Sequence, residues 1–267
     1  MKNKPILIIL ISALALGVLF LSVLYLATLI SGGKATKSLT PLPGMEKIAL
    51  VKIEGMLITA DAIVEEINNY AEDSSVKAIL IRIDSPGGGV VASQEIFNAV
   101  LNARKQGKKK VVISMGSVAA SGGYYIAAAG DRIVANPGTL TGSIGVKMEF
   151  ANLEKLLEKI GVRGMVVKAG EYKDMGSPFR EMTDYEKILL QWVIDDVHNQ
   201  FIEAVAKGRN LPEADVKAIA DGRIFTGRQA LQLKLVDQLG DLDDSILVAA
   251  ELAVRRDPRH EIQAPLR

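Results

Sequence analysis

Apolar residues fall along this 267-residue chain in three patterns, and each predicts a different kind of element. The first is an unbroken run, Ile6–Ile30, "ILIILISALALGVLFLSVLYLATLI", with no charged residue. As a helix it would extend about 37 Å at 1.5 Å per residue, beyond the ~30 Å hydrocarbon core of a bilayer. A cleaved secretory signal would have a shorter apolar region and a small-residue cleavage site, and "SGGKATKS" does not supply one. Residues 1–31 therefore read as an uncleaved signal anchor, a single transmembrane helix. Lys2, Lys4 and the terminal amine precede it and Lys34 and Lys37 follow it, a small excess that puts the N-terminus in the cytoplasm. Residues 32–44, rich in Gly, Ser, Thr and Pro, read as a flexible linker.

The second pattern fills the domain expected over residues 45–267. Short β-branched runs, Lys47–Ile53, Lys77–Ile83, Lys109–Met115 and Arg132–Asn136, alternate with helically spaced segments at Ala60–Asp73 and Val90–Gln106. Beyond them come "VKMEF", a helical "ANLEKLLEKIG" and a further run read as a strand, Arg163–Ala169. Strands and helices alternating at these lengths predict an α/β domain with mainly parallel pairing. The third pattern, from Thr183 onward, is almost wholly helical and includes the amphipathic Asp184–Gly208; the tail "RRDPRHEIQAPLR" reads as solvated.

Composition narrows the chemistry. A formal charge of +1 gives no global field for nucleic acid. Cysteine is absent, which excludes disulfides, thiolate nucleophiles and Cys-type zinc sites. The two imidazoles, His198 and His260, lie in a helical segment and in an Arg-rich tail, so a histidine metal site or a Ser-His-Asp triad is not expected. No metal or other cofactor is called for.

Candidate chemistry collects where strands end. "DSPGGG" (Asp84–Gly89) can be a tight turn, a phosphate loop or an oxyanion hole; it lacks the Gly-Lys-Ser/Thr ending of a phosphate loop. Ser121, before Gly122-Gly123 and the helical "GGYYIAAAG", is a helix N-cap or a nucleophile. A lysine can replace histidine as general base if burial lowers its pKa from about 10.4 toward ~7–8. Lys173, in the Gly- and Pro-punctuated "GEYKDMGSP", is a base candidate or a solvated loop lysine.

Five segments in order, "DSPGGGV", "VAASGGYYIA", "TGSIGV", "YKDMGSP" and "DGRIFTGRQALQLKLVDQLG", resemble the bacterial signal peptide peptidases of the SppA type in their short, single-domain form. The resemblance implies a crotonase- and Clp-protease-like fold, a spiral of β-β-α units, and a serine peptidase with a Ser-Lys dyad. It implies Ser121 as nucleophile, Lys173 as general base, Ser143 as the hydroxyl orienting the lysine amine, and the N–H groups of Gly88 and Gly122 as the oxyanion hole. It further implies remnant signal peptides and other unfolded peptides as substrates, a bacterial cell-membrane location with the catalytic domain outside the cytoplasm, and a homo-oligomeric ring sharing sites between subunits. A crotonase-fold acyl-CoA enzyme and a noncatalytic membrane scaffold are the alternatives; neither needs both Ser121 and Lys173.

Overall fold

In the computed structural model, which describes residues 47–105 and 109–254, the β-branched runs become neighbours in one sheet. The anchor, the linker, His260 and the C-terminal tail lie outside the described residues. Strands β1 (Lys47–Leu57), β2 (Val76–Gly88), β3 (Lys110–Ala120), β4 (Arg132–Ala135) and β7 (Gln238–Leu239) lie side by side in that order, all parallel. β5 (Leu140–Gly142) pairs in parallel with β3, and β6 (Ile224–Thr226) pairs antiparallel with β5.

Each strand places alternate side chains on opposite faces, and both faces are covered, as parallel sheets require. Ile79, Ile81, Ile83, Val111, Ile113 and Met115 are fully buried in the larger core, which takes in side chains of α1 (Asp61–Glu72), α2 (Val90–Lys105) and α3 (Gly122–Ala127). The intervening Ala78, Leu80 and Val112 cluster with Ala249 of α8 (Leu242–Val254) on the other face. Edge strand β1 is the exception: Ala49, Val51 and Ile53 pack in the larger core, whereas Leu50, Lys52 and Glu54 on its other face are exposed.

The sheet branches along β3. Residues Val112–Met115 pair with β4, whereas Val118–Ala120 pair with β5. Between them the β2–β3 register jumps from Ile83↔Met115 to Ser85↔Ala119, so β3 bulges at Gly116–Val118. Asp84 fills that bulge: its Oδ1 accepts from the Val118 N–H at 3.0 Å, and a Cβ at Gly116 would lie 2.7 Å from its carboxyl carbon.

Beyond β5 the chain runs through α4 (Glu154–Lys159) to α5 (Asp184–Arg209), α6 (Glu213–Lys217) and α7 (Gly227–Gln232). α5 starts in a capping box between Thr183 and Glu186 and stops at Asn210 in the left-handed conformation. The strand expected at Arg163–Ala169 does not form. An apolar run becomes a strand only where a neighbour supplies ladder hydrogen bonds; this one pairs with no described strand, and Met165 and Val167 are 91% and 96% exposed. Conversely, β6 and β7 interrupt the region read as helical; at three and two residues they are too short to show a period.

Candidate active site

The branch point builds the site. Past the bulge, β2 keeps pairing with β1 through Met56↔Gly87 and Leu57↔Gly88, so Gly87 and Gly88 belong to a strand rather than to the tight turn that was one reading of "DSPGGG". Ser85, fully buried, holds this irregular stretch: its hydroxyl donates to the Gly55 carbonyl at 2.5 Å and accepts from the Gly87 N–H at 3.1 Å. Gly87 and Gly88 thereby come up against the end of β3. A Cβ at Gly87 would lie 2.6 Å from the Gly122 nitrogen, and one at Gly122 would lie 3.3 Å from the Gly88 nitrogen. The two expected oxyanion donors, the N–H groups of Gly88 and Gly122, are neighbours because neither Gly87 nor Gly122 carries a side chain.

Ser121 sits on the turn from β3 into α3, with φ 51° and ψ −120°. A non-glycine residue with positive φ is strained and persists where its surroundings fix it. Here the Ser121 N–H donates to the Gly142 carbonyl at 2.9 Å, and its carbonyl accepts from the Tyr125 N–H at 2.8 Å. Ser121 occupies the N-cap position, yet its hydroxyl makes no capping hydrogen bond. That overturns the simple cap reading and leaves the hydroxyl for other work. A serine on a sharp strand-to-helix turn is the arrangement by which several hydrolases present a nucleophile.

Ser121, Gly122, Gly88 and Ser143 line one cavity of about 690 Å³. Ser143 follows β5 with φ 51°, and its N–H donates to the Arg223 carbonyl at 2.9 Å. Three further wall residues were not among the site candidates read from the sequence. Ser93, on α2, donates to the Gly89 carbonyl at 2.9 Å and meets Gly122: a Cβ there would lie 2.3 Å from its Oγ. Tyr125 packs edge-on to Phe97 and against Phe201, forming an aromatic floor. His198 of α5, set aside in the sequence as a metal or triad residue, also lines the cavity, and its Nε2 is buried with no hydrogen-bond partner. Only a helical period marks these positions in the sequence, and that period does not distinguish a cavity wall from a core.

Lys173 stands apart. It is exposed, in a turn where its N–H donates to the Gly170 carbonyl at 3.3 Å, and it is not among the residues lining the Ser121 cavity of its own chain. The neighbouring Asp174 is held well below the ordinary carboxylate range by hydrogen bonds from Arg180 and then Lys168. Lys147 does line the Ser121 cavity, but it is salt-bridged to Glu149 at 2.6 Å.

Residues 103–255 match peptidase family S49, and residues 46–138 match the Clp protease family. The chain is 49% identical over 210 residues to a Synechocystis sp. protein named "Putative protease", covering 78% of this chain and 75% of the relative. It is 40% identical over 181 residues to "Putative signal peptide peptidase SppA" of Enterococcus faecium, covering 68% of this chain and 52% of that one. It is 36% identical over 219 residues to "Protease 4" of Haemophilus influenzae, covering 79% of this chain and 35% of the relative. The chain thus spans about half and about a third of the lengths of the latter two. With an α/β parallel sheet and an uncapped serine at its branch point, the chain belongs to peptidase family S49, the SppA-type serine peptidases.

Proposed function

We propose that this chain is a membrane-anchored endopeptidase in which Ser121 is the nucleophile and Lys173 the general base, degrading remnant signal peptides after their release from exported proteins. The observation that carries the reading is the Ser121 hydroxyl, uncapped on a strained turn and set against the Gly87–Gly88 backbone. The amine of Lys173, in its neutral form, takes the Ser121 proton as Oγ attacks a peptide carbonyl. The N–H groups of Gly88 and Gly122 hold the oxyanion, and removing one such donor costs about 3–4 kcal/mol of transition-state stabilisation. Collapse passes the proton from Lys173 to the leaving amine and leaves an acyl-enzyme. Water, deprotonated by the same amine, then attacks the acyl carbon and frees Ser121. Ser143 accepts or donates a hydrogen bond that orients the amine.

The base comes from a neighbouring subunit of a homo-oligomeric ring. Lys173 lies outside its own chain's Ser121 cavity, and the segment that carries it exposes Met165, Val166 and Val167. Both features suit a segment that docks on a second copy, and in a head-to-tail ring each subunit gives its lysine to the next. The apolar run Ile6–Ile30 supports a single-pass location in a bacterial cell membrane, with the catalytic domain on the extracytoplasmic side, where anchor and lipid-soluble substrate share one surface. The branching of the sheet at β3 supports a spiral of β-β-α units. Labelling with an electrophilic peptide, followed by mass spectrometry, tests the reading. The adduct is expected on Ser121 and is expected to vanish in Lys173→Ala while persisting in Lys147→Ala. A Lys173→Ala protein that labels as wild type overturns the dyad.

A further inference from the structure

We propose that Arg180, clasping Asp174 and Glu186 together, is the positioning residue for Lys173, an inference that rests on Lys173 being the general base. The guanidinium uses its whole fork. Its Nε and Nη2 donate to Asp174 Oδ2 and Oδ1, each at 2.9 Å, and Nη2 also reaches the Asp174 carbonyl at 3.3 Å. On the other side Nη1 donates to Glu186 Oε2 at 2.8 Å and Nη2 to Oε1 at 2.5 Å, while Nη1 also bonds the Glu181 carbonyl at 2.9 Å.

Each end of this clamp leads somewhere. Asp174 is the residue next to Lys173, so holding its side chain and carbonyl fixes the backbone that aims the lysine. Glu186 is 3% exposed and closes the capping box of α5, whose later turns carry Gln191, Ile194 and His198 into the wall of the Ser121 cavity. Arg180 thus fastens the loop that offers Lys173 to the neighbouring subunit to the helix that lines this chain's own Ser121 cavity.

The clamp also neutralises charge. Lys168 donates to Asp174 Oδ1 at 2.5 Å, so Lys168 and Arg180 balance Asp174 and Glu186. A free carboxylate beside a lysine favours the ammonium form, which cannot accept a proton. With both Asp174 oxygens engaged, the nearest acid in the chain is withheld from Lys173. The other ionisable groups around the loop include Glu171 and Tyr172 within it, Glu181 beside Arg180, Glu154 of α4, which accepts from the Glu181 N–H, and, on α5, Tyr185, which packs on Tyr172, and the ion pair of Asp184 with Lys187. None of them bridges Asp174 and Glu186.

The test is the pH dependence of kcat and KM for an unfolded apolar peptide, measured on the full-length protein. Arg180→Met is expected to lower kcat about 10- to 100-fold through misplacement of the base, with KM within about twofold. It is also expected to move the rising limb of the pH–rate profile upward by about one pH unit, because Asp174 keeps only Lys168 as a cationic partner and its Oδ2 is released. Asp174→Asn should move that limb the opposite way. The double variant should return it to the wild-type position with kcat still low. Arg180→Lys, which keeps the charge but not the fork, should keep the profile and lose kcat, and it carries the test with Asp174→Asn if Arg180→Met does not fold. Profiles of Arg180→Met and Asp174→Asn that superimpose on wild type overturn the positioning role. An inactive Lys173→Ala beside unmoved Arg180 profiles rejects the clamp alone; an active Lys173→Ala rejects the dyad itself.

Discussion

The backbone N–H of Ser121 donates to the carbonyl of Gly142 at 2.9 Å, extending the β3–β5 ladder one step past its last register pair, Ala120↔Gly142. Ser143 is the next residue, so one hydrogen bond sets two serines, both at φ 51°, on the same cavity. Because alanine tolerates that φ no worse than serine, Ser143→Ala isolates the hydroxyl from the backbone. The expected outcome is a fall in kcat of about 10- to 100-fold with KM nearly unchanged and an unchanged melting temperature. Steady-state kinetics equal to wild type would demote Ser143 to a turn residue.

Separation of Lys173 from its own Ser121 cavity makes subunit mixing informative. In the proposed ring, Ser121→Ala and Lys173→Ala proteins, each expected to be inactive, unfolded together in equal amounts and reassembled at random, give each site about one chance in four of holding both intact groups. Roughly a quarter of wild-type hydrolysis is therefore expected. Proven coassembly without recovered activity would place both groups in a single chain.

Gly122 has no room for a side chain. A Cβ there would lie 2.3 Å from Ser93 Oγ and 3.3 Å from both the Gly87 Cα and the Gly88 nitrogen. Gly122→Ala should push the Gly87–Gly88 strand away from Ser121, costing about 100- to 1,000-fold in kcat and about 1–3 kcal/mol of stability through overpacking. Adding Ser93→Ala relieves the closest contact, so stability should recover in part while turnover should not. Chemical denaturation and kinetics on the pair separate the two effects, and a fully active Gly122→Ala protein would show that the close packing of Gly122 on the Gly87–Gly88 strand does not govern turnover.

The charged clamp on the Lys173 loop gives an acid-sensitive region. Glu186 is lowered to about 2, principally by the hydrogen bond from Arg180, and Asp174 is lowered by the same partner. A folded-state pKa below the unfolded value means stabilisation that is fully present above the unfolded value and lost as pH falls through the folded one. The loop and the first turn of α5 should therefore loosen between about pH 4.5 and 2, ahead of the sheet. Hydrogen exchange over residues 170–190 reads this directly. Protection that stays constant down to pH 2 would mean the clamp contributes nothing to local order.

What the sequence conveyed depended on whether the deciding force was local. Lys47–Ile53 and Lys77–Ile83 are strands in the structure because β-branched alternation and burial agree there. The extension of β2 through Asp84–Gly88 was hidden, since Ser-Pro-Gly-Gly reads as a turn and only β1 and the buried Ser85 hydroxyl make it a strand. Arg163–Ala169 erred the other way: its pattern is that of a strand, but no described strand pairs with it. At the site, the motifs marked Ser121, Gly122, Gly88 and Ser143, which one cavity brings together. That the Ser121 hydroxyl is free of capping is a matter of backbone angle, and Ser93 and Tyr125 reach the cavity through helix packing. Neither is distinguished by composition or period, which read the same for a cavity wall and for a core.

The branch in β3 also bears on how such a cleft can diversify. Below it, Ile113 and Met115 are locked into a sheet covered on both faces, where losing a buried methylene costs on the order of 1 kcal/mol. Above it, the wall formed by Ser143–Ile144 and Gly222–Arg223 is joined by backbone bonds, Ser143 N–H to the Arg223 carbonyl and Gly222 N–H to the Ile144 carbonyl. Side chains on that wall, Asp221 and Val146 among them, line the cavity without belonging to the buried core. Selectivity can therefore drift by single substitutions on one limb of the fork while the other limb keeps the chain folded, which separates evolvability of substrate choice from the constraint of thermodynamic stability.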